Sequence, residues 1–139
     1  FKNNGWWGNA ACALSYEGLA WLTGTAVMLG GAWPGTHSLV LALLYSVGAH
    51  GIMTLNDFKA IEGDRRMGVA SLPVQLGARR AAVVACALML CSQVAVAGWL
   101  MTWQLSWHAT AVLVLALVDL DVVFAMTSTI SHRPTDTYI

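Results

Sequence analysis

Four long apolar runs constrain the fold of this chain more than any other feature of its sequence. A helix needs about 20 residues to cross the apolar core of a bilayer. The chain is 58% hydrophobic and only 10% charged, whereas about a quarter of the residues in a soluble domain are charged. We therefore predict an all-α fold, a polytopic transmembrane helix bundle in which residues 1–139 form a single transmembrane domain. Its four helices are expected at about 7–30, 36–55, 81–101 and 107–130.

The distribution of basic residues predicts how these helices are oriented. Four crossings would place the chain start, the connector 56–80 and the tail on the same side of the membrane. The positive-inside rule assigns the side that carries Lys and Arg to the cytoplasm, so the connector is predicted to be a cytoplasmic loop. All seven basic residues lie in these three segments: Lys2, Lys59, Arg65, Arg66, Arg79, Arg80 and Arg133.

The overall charge and the cysteines exclude several classes of partner. The net charge is zero and no basic stripe is present, so we expect the lipid bilayer as a partner and no nucleic acid. The three cysteines lie inside apolar runs and form no CxxC pair. This pattern predicts neither a zinc site nor a disulfide framework.

The connector opens with NDFKAIEGDRRMG (56–68), the most polar stretch of the chain. Asp57 and Asp64 are seven residues apart, so a continuous helix would present both carboxylates on one face, about 10 Å apart along its axis. Gly63 favours a break in that helix, and Glu62 adds a third acid. In either case, the three carboxylates are predicted to gather at the membrane surface.

This group of charges suits a metal-bound diphosphate. Mg²⁺ takes oxygen ligands and is typically held by one or two carboxylates together with substrate phosphates. The metal would neutralise a diphosphate leaving group, while Lys59, Arg65 and Arg66 would hold its outer oxygens. A solvated connector with positive-inside cations is the alternative. Against this alternative, glycine and proline recur in the segment GVASLPVQLG (68–77). This pattern indicates a more ordered structure than a solvated linker requires.

The stretch NDFKAIEGDRRMGVASLPVQLG (56–77) resembles the second aspartate-rich motif of the UbiA-type intramembrane prenyltransferases. Within that family it is most similar to the chlorophyll and bacteriochlorophyll synthases. FKNNGWWGN together with LSYEGLAW, in residues 1–21, resembles the segment that enters the fifth helix of the bacteriochlorophyll enzymes.

The resemblance implies the second half of a UbiA-type fold. The family's first motif, of the N-D-x-x-D-x-x-x-D type, is not in these residues, and the chain starts at Phe1 rather than at a methionine. We therefore expect a fragment of a longer enzyme that is inactive alone. The N-terminal half of the same enzyme would complete the site.

The resemblance also implies a reaction and a set of site residues. The expected reaction transfers a geranylgeranyl or phytyl group from its diphosphate to the propionate carboxylate of (bacterio)chlorophyllide. It would take place in a bacterial cytoplasmic or intracytoplasmic photosynthetic membrane. The implied catalytic residues and Mg²⁺ ligands are Asp57 and Asp64, with Glu62 as a supporting ligand. The implied substrate contacts in the connector are Asn56, Lys59, Glu62 and Arg65.

Two alternatives stay open. Many relatives that prenylate quinone precursors or homogentisate carry a further aspartate between the first and last acids of the motif, where this chain has Ala60 and Ile61. This difference argues against an aromatic prenyltransferase of the quinone or tocopherol type, although the donor site would be the same. In the other alternative, the chain is a non-catalytic membrane assembly subunit and its acidic connector is only a docking surface.

Several ionisable residues lie inside the apolar runs. Glu17 is expected either near the acceptor or in a hydrogen bond between helices, since acids inside a membrane are costly. His50 precedes Asp57 by seven residues and lies on about the same helix face. It is predicted either to contact the substrate, as a ligand of the chlorin magnesium or by polarising a carboxylate, or to be a packed bundle histidine. Asp119 and Asp121 are about 200° apart on a helix, so at least one should face the bundle interior or another helix.

Overall fold

The computed structural model describes residues 3–132, without the side chains of 122–124, 126–127 and 129–132. Lys2 and Arg133, which entered the orientation argument, lie outside the described residues. Within the described range the regular elements are helices, which confirms the predicted all-α fold. The α-helices are α1 (Gly5–Ala13), α2 (Ala20–Met28), α3 (Thr36–Asp57), α4 (Ile61–Met67), α5 (Leu72–Leu76), α6 (Ala78–Thr102) and α7 (Ser106–His132).

Two helices in the described part of the chain, α3 and α6, are each long and apolar enough to cross a bilayer. Their bounds lie within three residues of the spans predicted at 36–55 and 81–101. Helix α7 covers the fourth predicted span, whereas the first run is divided between α1 and α2. The arrangement with four membrane crossings stays a prediction.

The first apolar run forms a helix with a change of winding in its middle. Asn4 caps α1, and its side-chain oxygen accepts hydrogen bonds from the amides of Trp6 (3.0 Å) and Trp7 (3.4 Å). A π-helical turn, Leu14–Leu19, then joins α1 to α2. Such turns contain i→i+5 hydrogen bonds and widen the helix locally. The turn therefore sets the rotation of α1 relative to α2.

Small residues allow α3 and α6 to pack closely. A methyl group added at Gly51 of α3 would lie 2.5 Å from the carbonyl oxygen of Ala85 and 2.7 Å from Cγ of Met89 on α6. One added at Gly48 would lie 2.8 Å from Oγ of Ser92. Without such side chains the two helices can approach backbone to backbone, which is a common way for membrane helices to associate.

A polar contact joins α6 to α7 within their apolar lengths. Nε2 of Gln93 donates a short hydrogen bond to Oδ2 of Asp119, which satisfies a carboxylate in surroundings that disfavour an unpaired one. Asp121 is exposed on another side of α7. The two acids therefore face different directions, as their separation along the sequence predicts, and Asp119 is the one that faces a neighbouring helix.

We predict that Gly51→Ala weakens the packing of α3 on α6. The added methyl group would meet a backbone carbonyl that cannot rotate away, and overpacking of this kind costs about 1–3 kcal/mol. The measurement is the thermal unfolding temperature of the full-length protein in detergent, which should fall.

Gly24→Ala is the matched control, since a methyl group there meets nothing within 4 Å in the described part of the chain. Gly24 lies inside α2, so alanine should leave the unfolding temperature unchanged or raise it through its better helix propensity. Equal unfolding temperatures for Gly51→Ala and the parent would contradict the close contact.

Candidate functional site

The two principal acids of the connector lie on different helices. Helix α3 ends at Asp57, and residues 58–60 form a tight turn in which the amide of Ala60 donates to the carbonyl of Asp57 at 3.0 Å. Helix α4 then carries Asp64, and Gly63 lies inside it. No continuous helix therefore runs through both acids. The expected break is present, but it lies at residues 58–60 rather than at Gly63.

The connector is folded rather than extended. Helix α4 ends at Met67 and is terminated by Gly68, which has a φ of +69°, and the amide of Val69 donates back to the carbonyl of Asp64 at 2.9 Å. This is the Schellman arrangement, in which a left-handed glycine terminates a helix. Helix α5 follows, and Leu72 and Pro73 at its start are fully buried. The segment predicted as a loop at 56–80 thus contains two short helices and the first turn of α6.

The beginning of the described chain is anchored to this connector. Asn4 and Ala70 form an isolated parallel bridge, and the amide of Gly5 donates to the carbonyl of Ala70 at 2.8 Å. A methyl group at Gly5 would lie 2.5 Å from the backbone nitrogen of Leu72 and 2.9 Å from the carbonyl carbon of Ser71. Backbone therefore packs directly against backbone here, which holds α1 beside the connector.

This anchor brings Asn9 of α1 to the half-buried side chain of Asp57. Nδ2 of Asn9 donates to Oδ2 of Asp57 at 3.0 Å and to Oγ1 of Thr54 at 3.3 Å. Asp64 follows seven residues later, near the middle of α4. Asn9 was not among the residues predicted from the sequence. The available signal was a polar amide inside the otherwise apolar start of the first run, where such a group needs a partner.

The other predicted site residues of the connector are exposed. Asn56, Lys59 and Arg65 are exposed, and Oε1 of Glu62 accepts hydrogen bonds from Arg66 at 2.9 and 3.2 Å in an exposed ion pair. Among the described residues, no three His, Cys, Asp or Glu side chains are placed together to hold a metal ion.

His50 is held by the carbonyl of Trp6. Its Nε2 lies 3.1 Å from that oxygen and its ring centroid 5.8 Å from the Trp6 ring. Because a carbonyl only accepts hydrogen bonds, Nε2 carries the proton. Nδ1 is buried and has no hydrogen-bond partner in the described part of the chain. This geometry favours a packed bundle histidine over a ligand of a chlorin magnesium.

Glu17 lies in the π-helical turn, at a cavity of about 230 Å³. The cavity runs between this turn, α3, α6 and α7, and its lining includes Tyr45, Ile52 and Gln93. Ile52 precedes Asp57 by five residues on α3, which is about 7.5 Å along the helix axis. The cavity therefore lies further into the apolar length of α3 than Asp57 does, and Glu17 is the acid in its lining.

The helical fold and the acidic motif agree with the comparisons to known proteins. The family model of the UbiA prenyltransferase family matches residues 1–133, and the chain belongs to that family. It is therefore a membrane protein of a family built as polytopic helix bundles, and the resemblance in its sequence is confirmed. Enzymes of this family generally use divalent metal ions.

Similar proteins come from bacteria and plants. Over 125 residues, 90% of this chain and 40% of the other, it is 51% identical to the bacteriochlorophyll synthase 33 kDa chain of Cereibacter sphaeroides. Over 118 residues, 84% of this chain and 36% of the other, it is 51% identical to the bacteriochlorophyll synthase 34 kDa chain of Chloroflexus aurantiacus. Over 123 residues, 88% of this chain and 30% of the other, it is 40% identical to the chloroplastic chlorophyll synthase of Arabidopsis thaliana.

These similarities cover only part of each relative. The chain spans 30–40% of the length of the three relatives named. No solved structure matches the chain.

We predict that Gly5→Ala separates the start of α1 from the connector. The added methyl group would overlap the backbone of Ser71 and Leu72, which cannot move aside as a side chain would. A loosened connector should be cut faster by trypsin at the exposed Arg65 and Arg66. A loss of 1–2 kcal/mol of local stability corresponds to a roughly 5–30-fold faster cut.

The control is Gly98→Ala in α6, where a methyl group meets nothing within 4 Å in the described range. It should leave the cleavage rate of the full-length protein in detergent unchanged. A Gly5→Ala protein that is cut no faster than the parent would show that the backbone contact does not hold the connector.

Proposed function

We propose that this chain is the C-terminal part of a (bacterio)chlorophyll synthase. The enzyme would transfer a geranylgeranyl or phytyl group from its diphosphate to the propionate carboxylate of (bacterio)chlorophyllide. The observation that carries the proposal is the placement of Asp57, a half-buried carboxylate at the end of an apolar helix, held by Asn9 and followed after one tight turn by the helix that carries Asp64. The relatives named synthases of these pigments support the choice of acceptor.

The position of these acids fits the chemistry of a prenyl diphosphate. The prenyl chain is apolar and the diphosphate is charged, so the reacting carbon must lie where the membrane meets water. In the reaction, an oxygen of the acceptor carboxylate forms a bond to C1 of the prenyl group. The bond from C1 to the diphosphate oxygen breaks, and its electron pair leaves with the diphosphate. The exposed Lys59 and Arg65 would hold the outer phosphate oxygens, with Asn56 as a further contact.

The residues present fit a bound Mg²⁺. Asp57 and Asp64 supply two carboxylates, and Mg²⁺ is commonly held by one or two carboxylates with substrate phosphates and water completing its shell. When bound, the ion would neutralise charge on the departing diphosphate. Both hydrogen bonds from Arg66 end on Oε1 of Glu62, in an exposed ion pair of a kind worth about 0.2–1 kcal/mol. Glu62 would therefore be a supporting ligand at little cost.

The acceptor side of the site would include the cavity beside Glu17. Its volume of about 230 Å³ is below the 300–1,000 Å³ typical of small-molecule sites, and we infer that the rest of the enzyme would enlarge it. Glu17 remains our proposed contact on that side. His50 would act through the position of α1, since its Nε2 is engaged with Trp6.

The membrane arrangement belongs to the same proposal. We infer four crossings, with the connector 56–80 facing the cytoplasm of a bacterial cytoplasmic or intracytoplasmic membrane, because most of the basic residues lie in that connector. The remaining length of the relatives would correspond to an N-terminal half that supplies the first aspartate-rich motif. This chain alone would then be inactive.

Acceptor choice separates the proposal from its alternatives. The full-length enzyme is incubated with geranylgeranyl diphosphate, Mg²⁺ and either bacteriochlorophyllide or an aromatic acceptor such as homogentisate. We expect the esterified pigment and equimolar diphosphate with the first acceptor only, and neither product after removal of the metal with EDTA. Prenylated homogentisate alone would favour an aromatic prenyltransferase. No product with either acceptor would favour a non-catalytic assembly subunit.

Asp57→Asn and Asp64→Asn should each lower kcat/KM of the full-length enzyme by about 100-fold or more, because charge stabilisation of the leaving group is usually a large part of catalysis. Each change keeps the size of the side chain and removes its charge. The measurement is the rate of diphosphate release.

Asp121→Asn makes the same change at an exposed acid on α7 and serves as the control. It should retain the activity of the parent. Full activity in Asp57→Asn would remove the metal site and support a connector that is only a docking surface.

A further inference from the structure

The amide of Asn9 occupies a defined orientation beside Asp57. An ionised carboxylate only accepts hydrogen bonds. The hydroxyl of Thr54 donates its hydrogen to the carbonyl of His50 at 2.9 Å, so its oxygen is also an acceptor toward Asn9. Both neighbours therefore require the NH₂ side of the amide, and its two hydrogens match the two acceptors at 3.0 and 3.3 Å.

This arrangement constrains one oxygen of Asp57 and leaves the other free. Oδ2 accepts from Asn9, whereas Oδ1 has no hydrogen-bond partner among the described residues. Thr54 is fully buried, so the hydroxyl end of the contact is rigid. The carboxylate is thereby held on its helix with a single oxygen presented away from the amide.

The position of Asn9 is itself fixed by contacts on both sides of α1. The carbonyl of Trp6 accepts from His50 on α3 at 3.1 Å, and the amide of Gly5 donates to Ala70 at 2.8 Å. These two contacts tie the first turn of α1 to the same helix that carries Asp57 and to the connector that carries Asp64. Asn9 lies one turn further along α1, so its amide has little freedom to move.

We propose that Asn9 is a positioning residue for the metal site. Its amide holds Oδ2 of Asp57 and would leave Oδ1 available to a divalent cation that binds with the diphosphate of the prenyl donor. Partners of this kind, which orient a ligand without touching the metal, commonly change metal affinity 10–100-fold when they are removed. The inference rests on the proposed function, since it assumes that Asp57 binds the metal.

The test measures metal binding directly. Mn²⁺ replaces Mg²⁺ as the probe, and the dissociation constant of Mn²⁺ on the full-length protein is measured by electron paramagnetic resonance in the presence of inorganic diphosphate. Asn9→Leu keeps the approximate size of the side chain and removes both donors. We expect its dissociation constant to rise about 10–100-fold, with a parallel rise in the Mg²⁺ concentration that half-saturates activity.

Asn4→Ala is the comparison that separates positioning from a general loosening of α1. It removes the cap of α1, which contacts the amides of Trp6 and Trp7, and it leaves the Asn9 amide intact. It should lower the unfolding temperature without changing the Mn²⁺ dissociation constant. Equal shifts in Asn4→Ala and Asn9→Leu, or no shift in Asn9→Leu, would overturn the proposal. If Asn9→Leu does not fold, Asn9→Ser removes the amide with less volume and carries the same expectation.

The Asp57→Asn variant separates a failure of the positioning role from a failure of the proposed function. If Asp57→Asn binds Mn²⁺ as tightly as the parent, the metal site itself is wrong. If Asp57→Asn loses Mn²⁺ binding while Asn9→Leu and Asn9→Ser bind as the parent does, the metal site stands and only the positioning role fails.

Discussion

The close contact between α3 and α6 at Gly51 is the constraint on which the rest of the structure depends. It brings the two membrane helices together backbone to backbone, so the end of α3 and the start of α6 are neighbours. The 20 residues between them, 58–77, are therefore far more than are needed to join the end of α3 to the start of α6. They fold back as α4 and α5 instead of crossing open space. The acidic motif is ordered because the helices on either side are close.

The apolar helices were predictable from the sequence, and the path of the connector was not. Hydropathy alone located α3 and α6 to within three residues, because an apolar segment long enough to cross a bilayer must satisfy its backbone hydrogen bonds internally, as a helix does. The turn at 58–60 contains neither glycine nor proline, so no local signal marked it. Gly63 gave a misleading signal, since a glycine inside a helix costs only about 1 kcal/mol and packing can overcome that cost.

In the candidate site, too, features that depend on neighbouring residues were predictable and contacts between distant residues were not. Asp57 and Asp64 were predicted because their charges stand out within a few residues of each other. Asn9 could not be predicted to meet Asp57, because the two residues are 48 positions apart and their contact depends on how α1 docks. His50 was placed on the correct helix face, but its hydrogen bond to the carbonyl of Trp6 depends on the same docking.

The π-helical turn at Leu14–Leu19 has a consequence for how this chain could change through evolution. Residues in an α-helix follow each other at about 100°, so losing one residue from the wide turn would restore regular winding and rotate α1 by that angle against α2. Asn9 would then leave the face that meets Asp57, although no residue near the carboxylate had changed. The deletion of one residue about two turns away would thus remove the hydrogen bond from Asn9 to Asp57. The number of residues in this segment is therefore as constrained as their identity.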